Sequence, residues 1–177
     1  MMRKLFALAG LILMVGCELK APVQKSATNT DPVTKRTNVT SEEHMQYLSG
    51  GEGAFDLADM KGSVVLLDVC ASWSPVSRAH VEELNRFQAR EDSTGLKVIG
   101  LVVDAIPTDG LTAELKEWGA TYPLVATPRT LLSRVAPVRS VPARLLVDRK
   151  GQLRKHYAGI VSPEILHQDV SALLKEP

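Results

Sequence analysis

Two hydroxyls three residues apart, Ser74 and Ser77, lie in the segment Ala71-Ser72-Trp73-Ser74-Pro75-Val76-Ser77-Arg78, where an apolar run gives way to a helical pattern. Residues i and i+3 of a helix share a face, so both oxygens would meet at the start of that helix. As nucleophiles they would need a base within hydrogen-bond reach, itself oriented by a third group. Of the four histidines, His44 lies far upstream, His80 is one turn beyond Ser77, and His156 and His167 fall late in the chain. No spacing ties any of them to Ser74. The competing reading is local and structural: serine as N-cap with proline at the first helical position makes a helix start worth about 1 kcal/mol.

Thiol chemistry has only two sources, Cys17 and Cys70. Cys70 ends an apolar run four residues before Ser74, which allows either a buried small hydrophobe or a single reactive thiol, although no electropositive setting is evident around it. Two cysteines and four scattered histidines form no ligand cluster. Neither a phosphate-binding glycine loop nor a dinucleotide fingerprint occurs, so neither a metal nor an organic cofactor is indicated. The 21 basic and 20 acidic side chains leave a net charge of +1, which argues against nucleic acid as partner.

The elements that must position these groups alternate in type. Residues 63–70 (SVVLLDVC) and 96–103 (LKVIGLVV) read as strands buried on both faces. A helix is expected over 75–91, with Val76, Ala79, Leu84 and Phe87 near helical spacing, and another over 111–118. A short strand at 122–126 and a short helix at 127–135 follow. Residues 143–148 (ARLLVD) and 153–157 read as strands joined by the hairpin signal Asp148-Arg149-Lys150-Gly151, and Ser162-Pro163-Glu164 opens a last helix. Strands alternating with helices predict a three-layer α/β/α sandwich with a central mixed sheet. Arg129, Arg134, Arg139, Arg144, Arg149 and Arg154 recur every five residues, a period of neither helix nor strand, whose one expected consequence is a locally basic edge.

The beginning of the chain differs in character. Residues 1–16 carry Arg3 and Lys4, then an apolar stretch too short to span a bilayer, then Gly16, the pattern of a secretory signal peptide. Met14-Val15-Gly16-Cys17 resembles the lipobox of bacterial lipoproteins, which implies lipidation of Cys17 and a membrane anchor; a plain secretory cut near Gly16 is the alternative. Residues 17–45 then form a lipidated N-terminus and a flexible tether rich in Thr, Ser, Asn, Lys and Pro. The expected folded domain covers 46–177.

The segment from Val64 to Arg78 resembles the strand, loop and helix start of thioredoxin-fold proteins, nearest to the membrane-tethered TlpA/ResA-like group of thiol-disulfide oxidoreductases. Lys61-Gly62, Val141-Pro142, Gly159 and the closing Ser162-Pro163-Glu164 helix agree with it, and the resemblance covers about residues 54 to 175. In that group a Cys-x-x-Cys pair at the helix start performs disulfide exchange. Ser74 and Ser77 stand at both cysteine positions, and a hydroxyl has no comparable two-electron couple. Ser74-Pro75-Val76-Ser77 is also similar to the Thr-x-x-Cys motif of peroxiredoxins, with Ser77 at the peroxidatic position, and the same objection applies.

The resemblance further implies that Asp68 is a buried carboxyl beneath the site and that Pro142 is a cis-proline beside a peptide groove formed by Trp73, Pro75, Val141 and Pro142. An ordinary trans proline at 142 and a core position for Trp73 remain the alternatives. The expected function is an exported lipoprotein without dithiol activity, facing the periplasm or cell exterior, that binds an envelope protein or peptide. The rival is an oxidoreductase or peroxidase working through Cys70 alone.

Overall fold

The computed structural model describes residues 30–31, 45–51, 54–91, 94–104, 108–136 and 138–177. The expected signal peptide, Cys17 and most of the tether lie outside them.

Among the described residues eight strands form one mixed sheet: β1 (Thr30–Asp31), β2 (Met45–Ser49), β3 (Ala54–Phe55), β4 (Val64–Cys70), β5 (Leu96–Val102), β6 (Leu124–Ala126), β7 (Ala143–Val147) and β8 (Leu153–Ala158). Their order across the sheet is β1-β8-β7-β4-β5-β6-β2-β3. β4, β5 and β6 run parallel, while β7 pairs antiparallel to β4 and β8 antiparallel to β7. Every residue of β4 is buried, as a central strand covered on both faces requires.

The described α-helices are α1 (Pro75–Ala79), α2 (Val81–Glu91), α3 (Asp109–Glu117), α4 (Arg129–Val135) and α5 (Pro163–Leu174). One face of the sheet packs Val64, Leu66 and Val98 with Leu84 and Phe87 of α2 and Leu166 and Val170 of α5. The other packs Val65, Leu67 and Leu145 with Leu57 of a short 3-10 turn and Leu132 of α4. Alternation of side chains along β4 assigns its residues to these two layers, and the result is the α/β/α sandwich predicted from the sequence.

Three expectations are amended. The helix expected over 75–91 is two helices that meet at His80, whose N–H donates to Ser77 O at 3.3 Å while His80 O accepts from Leu84 at 3.0 Å. Val76 and Ala79 are exposed, and Val81, Leu84 and Phe87 carry the buried face; the apolar spacing read as one stripe belongs to two helix segments. Thr30 and Asp31, inside the expected tether, pair with Tyr157 and His156 of β8. An open strand edge accepts any extended backbone, so composition did not mark them. The arginines do not form one basic edge: Arg144 is fully buried, and Arg149 and Arg154 are held by hydrogen bonds and ion pairs.

Candidate functional site

The site lies where β4 ends and β7 begins, at one end of the sheet. Ser74 has extended backbone dihedrals (φ −91, ψ 110), and its Oγ accepts from Ser77 N at 3.2 Å, so it is the N-cap of α1, with Pro75 in the first turn. Ser77 Oγ in turn accepts from Ala71 N at 3.4 Å. These bonds tie the strand end to the helix start through side-chain oxygens, as capping requires. Both serines are buried. No imidazole hydrogen-bonds either hydroxyl among the described residues. His80 is the C-cap at the far end of α1; its Nδ1 has no hydrogen-bond partner among the described residues, and burial lowers its basicity.

The loop between them is fixed from the neighbouring strand. Asp104, just beyond β5, accepts from Ser72 N at 3.0 Å and from Ser72 Oγ at 2.9 Å. This bracket leaves Trp73 projecting outward at 67% exposure. Asp104 escaped the sequence reading, its one signal being an acid directly after a buried strand.

Cys70 is 1% exposed and its Sγ donates to Leu101 O at 3.6 Å. Burial pushes its thiol well above the ordinary range, and the negative charges of Asp68 and Asp104 push the same way. This is an inert setting for a thiol.

Asp68 and Arg144 face each other across β4 and β7. Arg144, 1% exposed, places Nε 3.5 Å from Asp68 Oδ1 and Nη1 3.1 Å from Glu83 Oε1 of α2. Burial dominates at Asp68 and, although Arg144 opposes it, pushes the carboxyl up to about 6. The charge-paired core beneath the serines is therefore Asp68–Arg144–Glu83. Sequence reasoning singled out the first member alone.

The Val141–Pro142 peptide is cis. Pro142 O accepts from Gly159 N at 3.0 Å, and Gly159 adopts φ +77, a left-handed conformation suited to glycine. The turn after β8 is thereby held against the proline, with Ile160 beyond it 63% exposed. Val141 N–H and C=O enter no hydrogen bond among the described residues. Beside them, Trp73, Leu132, Val138 and Val141 line a cavity of about 230 Å3. The structure thus brings Trp73 and Val141 to one cavity, which neither Pro75 nor Pro142 lines, and buries Cys70 and Asp68. Among the described residues no three His, Cys, Asp or Glu side chains converge as metal ligands.

A parallel strand leading into a capped helix, opposite a cis-proline that starts an antiparallel strand, defines a thioredoxin-fold protein related to thiol-disulfide oxidoreductases. The chain belongs to the AhpC/TSA family, which matches residues 41–168. It is 30% identical over 124 residues to the thiol:disulfide interchange protein DsbE of Escherichia coli strain K12, with 68% of this chain and 64% of that protein aligned. The chain thus spans 64% of the length of that curated relative. Among solved structures it is similar to a Chlorobium tepidum protein assigned as a thiol:disulfide interchange protein DsbE, at 29% identity and TM-score 0.63 over 73% of this chain and 93% of that one. A secreted thiol-disulfide isomerase of Corynebacterium glutamicum shares the fold at 17% identity and TM-score 0.67, covering 77% of this chain and 86% of that one.

Proposed function

We propose that this protein is an exported lipoprotein, anchored through lipidated Cys17, whose thioredoxin-like domain binds an extended peptide of an envelope protein without exchanging disulfides. The observation that carries the reading is the occupation of Ser74 and Ser77 as backbone caps within an otherwise complete groove. Disulfide exchange proceeds by thiolate attack through a mixed disulfide, and neither residue supplies a thiol. What supports recognition is an exposed Trp73, the adjoining apolar cavity, and the N–H and C=O of Val141, which have no hydrogen-bond partner among the described residues. An unpaired backbone beside side-chain pockets is what strand addition by a peptide uses.

Activity through Cys70 alone finds no support in this geometry, because the thiol is enclosed, hydrogen-bonded to Leu101 O and held protonated.

The test is binding of an end-capped extended peptide with a central leucine to the full chain, followed by fluorescence anisotropy. Trp73→Ala is expected to weaken it roughly tenfold or more, as loss of an aromatic anchor does. An unchanged affinity removes the groove from the function.

A further inference from the structure

We propose that the groove selects an acidic peptide: an apolar side chain enters the cavity beside Trp73, and carboxylates flanking it pair with Arg129 and Arg139. The inference rests on the peptide-binding reading above and narrows it to a chemical class.

The cavity of about 230 Å3 is several times the roughly 30 Å3 that a water occupies in the liquid. Trp73, Leu132, Val138 and Val141 give it apolar walls, which suit a side chain better than solvent. Its charged lining is of one sign. Arg129 and Arg139 both contribute to it, and no aspartate or glutamate does.

Both guanidiniums are exposed, and neither has an ion pair or hydrogen bond among the described residues. This separates them from Arg144, Arg149 and Arg154, each of which is committed to a partner within the fold. Asp104, the acid that holds the loop of Trp73, is engaged by Ser72 N–H and Oγ–H, and Asp68, five residues before Trp73 in the chain, is buried against Arg144. Among the described residues no acid therefore pairs with the two cations. A guanidinium presents a planar fork that matches a carboxylate in bidentate fashion. A peptide added along Val141 sends alternate side chains to opposite sides; glutamates on either side of an inward leucine then share one side, which the two arginines can reach from the cavity rim.

The experiment titrates the full chain with two end-capped, fluorescein-labelled heptapeptides, one with a central leucine flanked by two glutamates and its twin with glutamines. The glutamate peptide is expected to bind roughly tenfold more tightly at low ionic strength, about what two partly exposed ion pairs supply. The preference should shrink as salt is added and vanish in the double variant Arg129→Gln, Arg139→Gln. That variant should melt with the wild type, because neither side chain has a partner to lose. Equal affinity for the twins overturns the inference, as does a preference indifferent to salt or one that survives in the double variant. Twins that bind equally and both weaken in Trp73→Ala sink the charge selection alone and leave the peptide-binding reading intact. Failure of either twin to bind removes both.

Discussion

The thiol of Cys70 points from a fully buried strand toward Leu101 O, and burial with two nearby carboxylates keeps it protonated. Alkylation by iodoacetamide is therefore expected only upon unfolding, with no thiolate-driven rise in rate near neutral pH; fast labelling of the folded chain would revive the single-thiol enzyme. Asp68 gives a second residue-level prediction. Between its ordinary value of 3.8 and about 6, the folded carboxyl holds a proton that the unfolded chain has released. Its contribution to stability is thus fully present below that window and is lost as pH rises through it, by about 3 kcal/mol in order of magnitude. Urea denaturation of wild type and Asp68→Asn across the window checks this, with a flatter profile expected for the variant. The role of Ser74 was readable from sequence because capping is local: the accepting hydroxyl, the proline and the donating N–H lie within four residues. The partners of Arg144 were not, since Glu83 is 61 positions away and ARLLVD reads only as a strand.

Helix α1 is short, and its start depends on Ser74 and Ser77 at a separation that also matches the redox pair of the resembling families. Ser74→Cys with Ser77→Cys is expected to form a disulfide that dithiothreitol reduces, detected as a gel shift after alkylation; a folded double variant that remains a dithiol under oxidant would contradict this reading of the helix start. The central strands β4 and β5 were legible because continuous apolar runs rich in β-branched residues have one economical use, a sheet covered on both faces, and β7 and β8 because the turn signal Asp148-Arg149-Lys150-Gly151 joins them. The join between α1 and α2 was not, since apolar residues at 76 and 79 mimic the periodicity of a single helix while facing solvent. The edge strand β1 and strand β2, between β6 and β3, were equally hidden. Their pairing is made by backbone groups, which every residue carries.

For the whole molecule, the layered fold followed from the order of strand and helix signals. Anchoring rests on residues outside those the structure describes. If Cys17 is lipidated, Cys17→Ser moves the protein from the membrane fraction to the soluble exported fraction, read by immunoblot after fractionation; retention in the membrane would place the anchor elsewhere. The cavity rim was beyond sequence reasoning for a reason of scale, because Trp73, Arg129 and Arg139 meet only when the loop after β4 and the segment after β6 are folded together.

The two tryptophans of the chain occupy opposite surroundings: Trp73 is 67% exposed, and Trp118, packed beside Leu115 and Tyr122, is 8% exposed. The protein thus carries its own optical gauge. Iodide should quench the indole at the groove and spare the one in the core, so that the quenchable fraction of intrinsic emission reports, without any label, whether the groove is open or covered.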